Sequence, residues 1–237
     1  MTKKPLGHRA YGSIGHLPTS RMGPADHHVS EGQARIACER PRDRHDLVIV
    51  QEKLDGGCTA VAKIDGEIVA LGRAGYPTWS APQKHIRMFG EWVEENRDRF
   101  DNLLAERERV CGEWLAMAAG TRYMLTHEPW VAFDLMVGHD RLPWAAFMDR
   151  IGGRFITPRL ISYGQPCPVE TVAKWLEPSG HGALDPVEGA VWRVERKGVV
   201  DFLAKYVRPG KIDGKYFADD DADAVWNWEP SDNDKAN

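Results

Sequence analysis

The chain is 237 residues long, 42% hydrophobic and 28% charged, with a formal net charge of −4. This is the make-up of a folded globular chain. No apolar run approaches the ~20 residues of a membrane-spanning helix, and the opening MTKKPLGHRAYG has cations with no apolar run behind them, so neither a membrane span nor a secretory signal is expected.

The charge is unevenly spread. Residues 215–237 carry seven acids (Asp219, Asp220, Asp221, Asp223, Glu229, Asp232, Asp234) against Lys215 and Lys235, a net of −5, which leaves +1 on the rest. A near-neutral body permits a nucleic-acid partner without signalling one, and the acidic end reads as a solvated, flexible tail. Cys38, Cys58, Cys111 and Cys167 are far apart and form no CxxC pair, so a zinc site or disulfide framework is not expected and a reducing, cytoplasmic compartment fits.

In chain order, residues 1–45 are rich in Gly, Pro, His and Arg and read as a basic extension packed on the core. Within them Ser30 and Gln33 have the spacing of a capping box, which predicts a short helix through Ala34, Ile36 and Ala37. Residues 47–54 (LVIVQEKL) predict a buried strand. CTAVAKIDGEIVAL predicts a hairpin turning at Asp65-Gly66, since Asp-Gly between β-rich runs supplies the left-handed turn residues. Residues 84–107 have helical spacing, with Phe89, Trp92, Val93, Phe100, Leu103 and Leu104 on one face as core. Strands are predicted from Glu113 and from Trp130, a short helix at 169–176, and a second hairpin over 189–207 turning near Lys197-Gly198. Strands joined locally, with helices inserted between them, predict an α+β fold with antiparallel sheets. The core is placed at 46–214, with the flexible tail from 215.

The chemistry centres on Lys53-Leu54-Asp55-Gly56 at a strand end. A lysine amine is nucleophilic only when deprotonated, and burial beside other cations is expected to favour that form. The glycines that follow allow close backbone approach by a phosphate. KxDG alone is weak: Lys63-Ile64-Asp65-Gly66 and Lys211-Ile212-Asp213-Gly214 match it too. The second copy is the hairpin turn, and the third follows the last strand beside a proline. Context selects Lys53, because Arg73, Glu113, Phe133, Glu188 and Lys205 follow it in order, each at a strand or its edge.

That series resembles the motif pattern of the covalent nucleotidyltransferases, which include DNA ligases, RNA ligases and mRNA capping guanylyltransferases. It is most similar to the phage-type ATP-dependent RNA ligases, and Tyr11-Gly12-Ser13-Ile14 resembles the Tyr-x-Ser-Ile segment that precedes the lysine there. The resemblance implies an antiparallel-sheet nucleotidyltransferase (adenylation) core with flanking helices. It implies a three-step reaction: Lys53 takes AMP from ATP, AMP passes to an RNA 5′-phosphate, and a 3′-hydroxyl displaces it. Glu52, Asp55, Gly56, Arg73, Glu113, Phe133, Glu188 and Lys205 are implied to bind the nucleotide. Arg73 would hold the ribose and later the RNA phosphate, Glu113 the ribose hydroxyls, and Phe133 would stack on adenine. Glu188 is implied to serve Mg2+, with Mn2+ as the alternative, or to orient the lysine, and Lys205 to serve the α-phosphate.

Where the family has two lysines separated by one residue, Leu203 and Val207 flank Lys205, and Arg208 is the nearest replacement cation. Only about 30 residues follow Lys205, too few for the second, barrel domain of many relatives. RNA binding then falls to the core, to Arg21, Arg35, Arg40, Arg42 and Arg44 near the N-terminus, or to an accessory protein. His27-His28 lack a third ligand and read as loop. The competing readings are a minimal DNA ligase or GTP-dependent guanylyltransferase on the same core, or a noncatalytic nucleotide- or RNA-binding module.

Overall fold

The computed structural model describes residues 2–217 and 223–229. Two five-stranded sheets face each other. One runs β1 (Gly15–His16), β10 (Val199–Val207), β9 (Gly189–Arg196), β2 (Asp46–Lys53), β8 (Leu160–Gly164). The other runs β4 (Glu67–Gly72), β3 (Gly57–Ile64), β5 (Glu108–Trp114), β6 (Trp130–Val137), β7 (Asp140–Arg141). Every pairing is antiparallel except β1 with β10. The architecture is the expected α+β core, and no strand among the described residues builds a barrel.

Local chemistry sets the turns. Asp65 (φ 53°) and Gly66 (φ 78°) hold the β3–β4 hairpin, and Lys197 (φ 51°) and Gly198 (φ 76°) hold β9–β10. Both pairs sit in the left-handed region, as a two-residue turn that matches strand twist requires. The capping box forms: Ser30 Oγ accepts from the Gln33 amide at 3.2 Å and Gln33 Oε1 accepts from the Ser30 amide at 3.0 Å, opening α1 (Glu31–Cys38). Such a cap is worth about 1 kcal/mol.

Strand alternation sorts side chains between the two faces of each sheet. On the first sheet, Val48, Val50, Trp192, Val194 and Ala204 point outward and pack with α1 and α5 (Val169–Lys174). Gln51, Lys53, Val191, Arg193, Leu203 and Lys205 point inward to a cavity between the sheets. On the second, Val61, Val110, Trp114, Trp130 and Leu135 pack outward with Phe89, Trp92 and Phe100 of α2 (Lys84–Glu95) and α3 (Arg97–Asp101), and with Phe147 of α4 (Trp144–Ile151). The aromatics of 84–107 are core, as are Trp114 and Trp192.

Four expectations differ. The 84–107 helix breaks at Asn96, whose Nδ2 donates to the Trp92 carbonyl (2.8 Å) and so competes with the helix ladder. Strand β5 starts at Glu108, so Glu113 lies near its end rather than its start. Strand β8 and helix α4 are additional elements. Residues 223–229 pack on the core: Asn227 Nδ2 donates to the Leu115 carbonyl (2.8 Å) and Trp228 meets Trp114 edge-on (5.7 Å). The rest of the expected acidic tail, 218–222 and 230–237, lies outside the described residues.

Candidate active site between the sheets

Lys53 is the last residue of β2, and the chain crosses to the other sheet by Gly57. The lysine therefore sits at the junction of the two layers. The crossing is tight. A Cβ on Gly56 would strike the Trp114 carbonyl oxygen, so only glycine fits there. The Gly56 amide donates to Glu113 Oε1 at 3.1 Å, which ties the loop after the lysine to the end of β5.

A cavity of about 340 Å³ opens at this junction. Its walls include Glu52, Lys53, Asp55, Gly56, Arg73, Glu113, Phe133, Glu188 and Lys205, all nine positions singled out from the sequence, together with Tyr11, Gly12 and Ile14 of the upstream segment. Lys63 is instead ion-paired with Asp101 (2.8 Å) on the hairpin's far end.

The lysine's electrostatics depart from expectation. Lys53 Nζ donates to Glu188 Oε2 at 2.7 Å. Burial pushes the amine's pKa down, but Glu188, Glu113 and Asp55 together outweigh it and hold the group above the usual lysine range. The nearby charges are acids, not the expected cations, and the free protein keeps Lys53 as an ammonium. The acids show the converse. Burial pushes Glu113 up to about 7, against the pull of Lys53 and with a further push from Glu188. Burial also raises Glu188, opposed by Lys53 and Lys211.

Phe133 owes its place to a bulge. The β5–β6 register jumps between Cys111 (opposite Asp134) and Gly112 (opposite Ala132), leaving Phe133 as the extra residue. Neighbours in a regular strand point to opposite faces, whereas here both Phe133 and Asp134 line the cavity. The Phe133 ring meets Tyr11 edge-on at 5.0 Å. Asp134 is buried and accepts from the Tyr11 hydroxyl (2.6 Å), Arg141 Nε (3.1 Å) and Arg193.

The other positions differ in how committed they are. The Glu52 side chain is buried, its carboxylate accepting from Arg159 Nε (2.9 Å), Ser179 Oγ (2.5 Å) and the Gly180 amide (2.9 Å). A nucleotide contact by that side chain would have to displace one of these donors. Arg73 is exposed at the mouth, its Nη2 3.4 Å from the Gly12 carbonyl. Lys205 Nζ lies 3.4 Å from Asp26, and burial and Lys53 hold its pKa down. Burial opposes ionisation of Asp26, yet the Gly23 amide and Lys205 pull it down to about 2.

Leu203 lines the cavity beside Lys205, while Arg208 is half-buried outside it and donates to the Pro186 and Pro209 carbonyls. A further cation, Lys211, lies behind the loop after Lys53 without lining the cavity. Its side chain is fully buried and its Nζ donates to Asp55, whose Oδ2 also accepts from the Gly120 amide at 2.9 Å. Lys211 was legible as a third KxDG lysine and set aside for its position after the sheet. Arg193 and Asp134 were legible as charges inside apolar strands.

Two of the N-terminal arginines, Arg21 and Arg42, are held by acids. Arg35 and Arg40 belong to the helix side of the first sheet, away from the cavity. Arg42 is paired with Asp46 (2.8 Å) and Asp201 (2.6 Å), and Arg21 with Asp213 (2.8 Å). Among the described residues no three His, Cys, Asp or Glu group to hold a metal, and no helix is long and apolar enough to cross a membrane.

Solved structures share the fold. Naegleria gruberi RNA ligase with PPi matches 84% of this chain and 60% of its own at 15% identity (TM-score 0.53). A lysine-to-alanine variant of that ligase with ATP and Mn matches 88% of this chain and 61% of its own at 11% identity (TM-score 0.53). An archaeal ATP-dependent RNA ligase matches 69% and 43% at 22% identity (TM-score 0.46). The chain thus spans about two-fifths to three-fifths of the length of these proteins. No curated protein matches it in sequence. The RNA ligase family model matches residues 46–207, a stretch from the start of β2 to the end of β10 that takes in Lys53, Arg73, Glu113, Phe133, Glu188 and Lys205. With well over half its length inside that match, the chain belongs to the RNA ligase family.

Proposed function

We propose that the chain is an ATP-dependent RNA ligase that joins 5′-phosphate and 3′-hydroxyl RNA ends through a lysyl-AMP intermediate on Lys53. The observation that carries this reading is the placement of Lys53 Nζ at the cavity's floor, on Glu188, with Arg73, Glu113, Phe133 and Lys205 around the same space. A nucleophilic amine, an aromatic face, and acids and cations on opposed walls are what nucleotidyl transfer to a side chain requires.

In the first step Lys53 Nζ attacks the α-phosphorus. A nitrogen–phosphorus bond forms, the α–β phosphoanhydride bond breaks, and pyrophosphate leaves. The ammonium must first lose a proton, and Glu188 Oε2 at 2.7 Å is the acceptor within reach. Lys205 faces the charge that builds on the α-phosphate. Phe133 offers a ring face to adenine, which any base accepts. Arg73 at the mouth suits an incoming RNA 5′-phosphate, which would attack the same phosphorus and free the lysine. A 3′-hydroxyl would then displace AMP and seal the strand.

Two buried carboxyls beside one lysine, both held toward their neutral forms by burial, suit a divalent cation shared with nucleotide phosphates, whose charge would favour the carboxylates. Mg2+ or Mn2+ held by Glu188 and Glu113 would neutralise phosphate charge and compete for the carboxylates that hold Lys53 protonated. We place the enzyme in the cytoplasm, in line with its unpaired cysteines. The reading is tested by supplying the protein with α-labelled ATP or GTP and divalent metal, then with nicked RNA or nicked DNA. Labelling by ATP alone and sealing of RNA support it. Labelling by GTP, or sealing confined to DNA, transfers the chain to one of the sister activities.

A further inference from the structure

Beside the nucleotide cavity lies a second, larger groove of about 960 Å³, and the two share Arg73 and Cys58 in their walls. It is walled by the turn after β4, the loop that leads into α2, and Phe217 with Ala224. Among the described residues its lining holds Arg73, Lys84 and His85 and no acid. The chain has 35 acids in 237 residues, yet none falls in residues 68–90, which carry Arg73, Lys84 and Arg87. Lys4 adds a further cation at the rim, 5.0 Å over the Tyr76 ring.

The same segment leaves aromatic surface in water. Trp79, in the 3-10 turn Thr78–Ser80 between the lining residues Pro77 and Ser80, is 72% exposed, and the lining residues Tyr76 and Phe217 are 45% and 59% exposed. Exposed rings beside cations have one well-matched ligand chemistry: bases that stack and phosphates that pair. The three aspartates that follow Phe217 in sequence lie outside the described residues.

We propose that this groove holds the single-stranded RNA segment that ends in the 5′-phosphate. The phosphate sits at Arg73, where the groove joins the nucleotide cavity, and the next nucleotides stack on Tyr76 and Trp79 and pass Lys84. This deepens the ligase reading and rests on it, since that reading brings a 5′-phosphate to Arg73. It also gives the core an RNA-binding surface of its own.

The test is equilibrium binding of a 5′-phosphorylated single-stranded oligoribonucleotide to the full chain, by fluorescence anisotropy across a salt series. The variants are Trp79→Ala, Tyr76→Ala and Lys84→Ala, with lysyl-AMP formation measured in parallel. Each aromatic variant is expected to bind five-fold or more weakly, and Lys84→Ala to lower the slope of log K against log salt by about one. All three should form lysyl-AMP at the parent's rate. Parent-like RNA affinity in all three, or a parent protein that forms lysyl-AMP but does not bind the oligonucleotide, overturns the groove. A parent that binds RNA through these residues but never forms lysyl-AMP overturns the ligase reading and leaves the groove standing.

Discussion

The ammonium of Lys211, fully buried, is paired with the carboxylate of Asp55, two residues beyond Lys53. This pair fastens the segment after β10 to the loop that carries the nucleophile, and Lys211 lies outside the 46–207 family match. Breaking a buried pair leaves an uncompensated charge, at a cost of about 3–5 kcal/mol. Lys211→Met should therefore destabilise the protein by about that much and slow lysyl-AMP formation. Asp55→Asn combined with Lys211→Met should recover most of the stability and not the activity. A double-mutant cycle by denaturant unfolding checks this. Additive losses would mean the two residues do not act as a pair.

Glu113 sets a pH dependence in the free protein. Its folded pKa, about 7, lies above the ordinary glutamate value near 4.5. The fold thus favours the protonated carboxyl, and this group's contribution is full below about pH 4.5 and fades as pH rises through 7. Above 7 a buried carboxylate faces Glu188 and Asp55 with Lys53 as its nearest cation. Glu113→Gln keeps an acceptor for the Gly56 amide and removes that charge. It should gain about 1–3 kcal/mol relative to the parent between pH 5 and pH 8, read as a thermal-midpoint difference that widens with pH. A difference that is flat or narrows with pH contradicts this account.

The ammonium of Lys53 should resist amine reagents. Glu188 and Glu113 hold it protonated in the free protein despite burial. At pH 9 an amine-directed reagent should modify Lys53 more slowly than exposed lysines such as Lys197. Glu188→Gln removes the strongest acid influence and leaves burial opposed only by Glu113 and Asp55, so it should speed modification several-fold. Peptide mapping by mass spectrometry reads both rates, and fast labelling of Lys53 in the parent protein would count against its pairing with Glu188.

Phe133 should govern nucleotide affinity more than chemistry. Stacking of a base on a ring is worth about 1–3 kcal/mol. Phe133→Ala should raise the Kd for ATP about five- to one-hundred-fold, while Phe133→Trp should come close to the parent. Adenylylation at saturating ATP should persist in both. Unchanged ATP affinity in Phe133→Ala would reassign the ring to packing with Tyr11.

The sequence was most legible where one local rule sets the outcome. Asp65-Gly66 could only be a tight turn, Ser30 with Gln33 could cap a helix without help from the rest of the chain, and Phe89, Trp92 and Phe100 announced a buried face by spacing alone. The site was legible because its residues sit on strands whose alternation sends them inward. What stayed hidden depends on tertiary contacts. No local signal reports that acids rather than cations surround Lys53, that a bulge turns Phe133 toward the cavity, or that Lys211 reaches Asp55 across 156 residues. Helix α4 and strand β8 are short, and tertiary contacts set their places: Phe147 and Ile151 of α4 pack on the second sheet, and β8 pairs with β2.

The most direct measurement is intact-mass and peptide-mapping mass spectrometry of the protein after exposure to ATP with Mg2+ or Mn2+. The account predicts one added adenylate, carried on Lys53, absent from Lys53→Ala and present in Lys63→Ala. No adduct under either metal, or an adenylate on any other side chain, contradicts it.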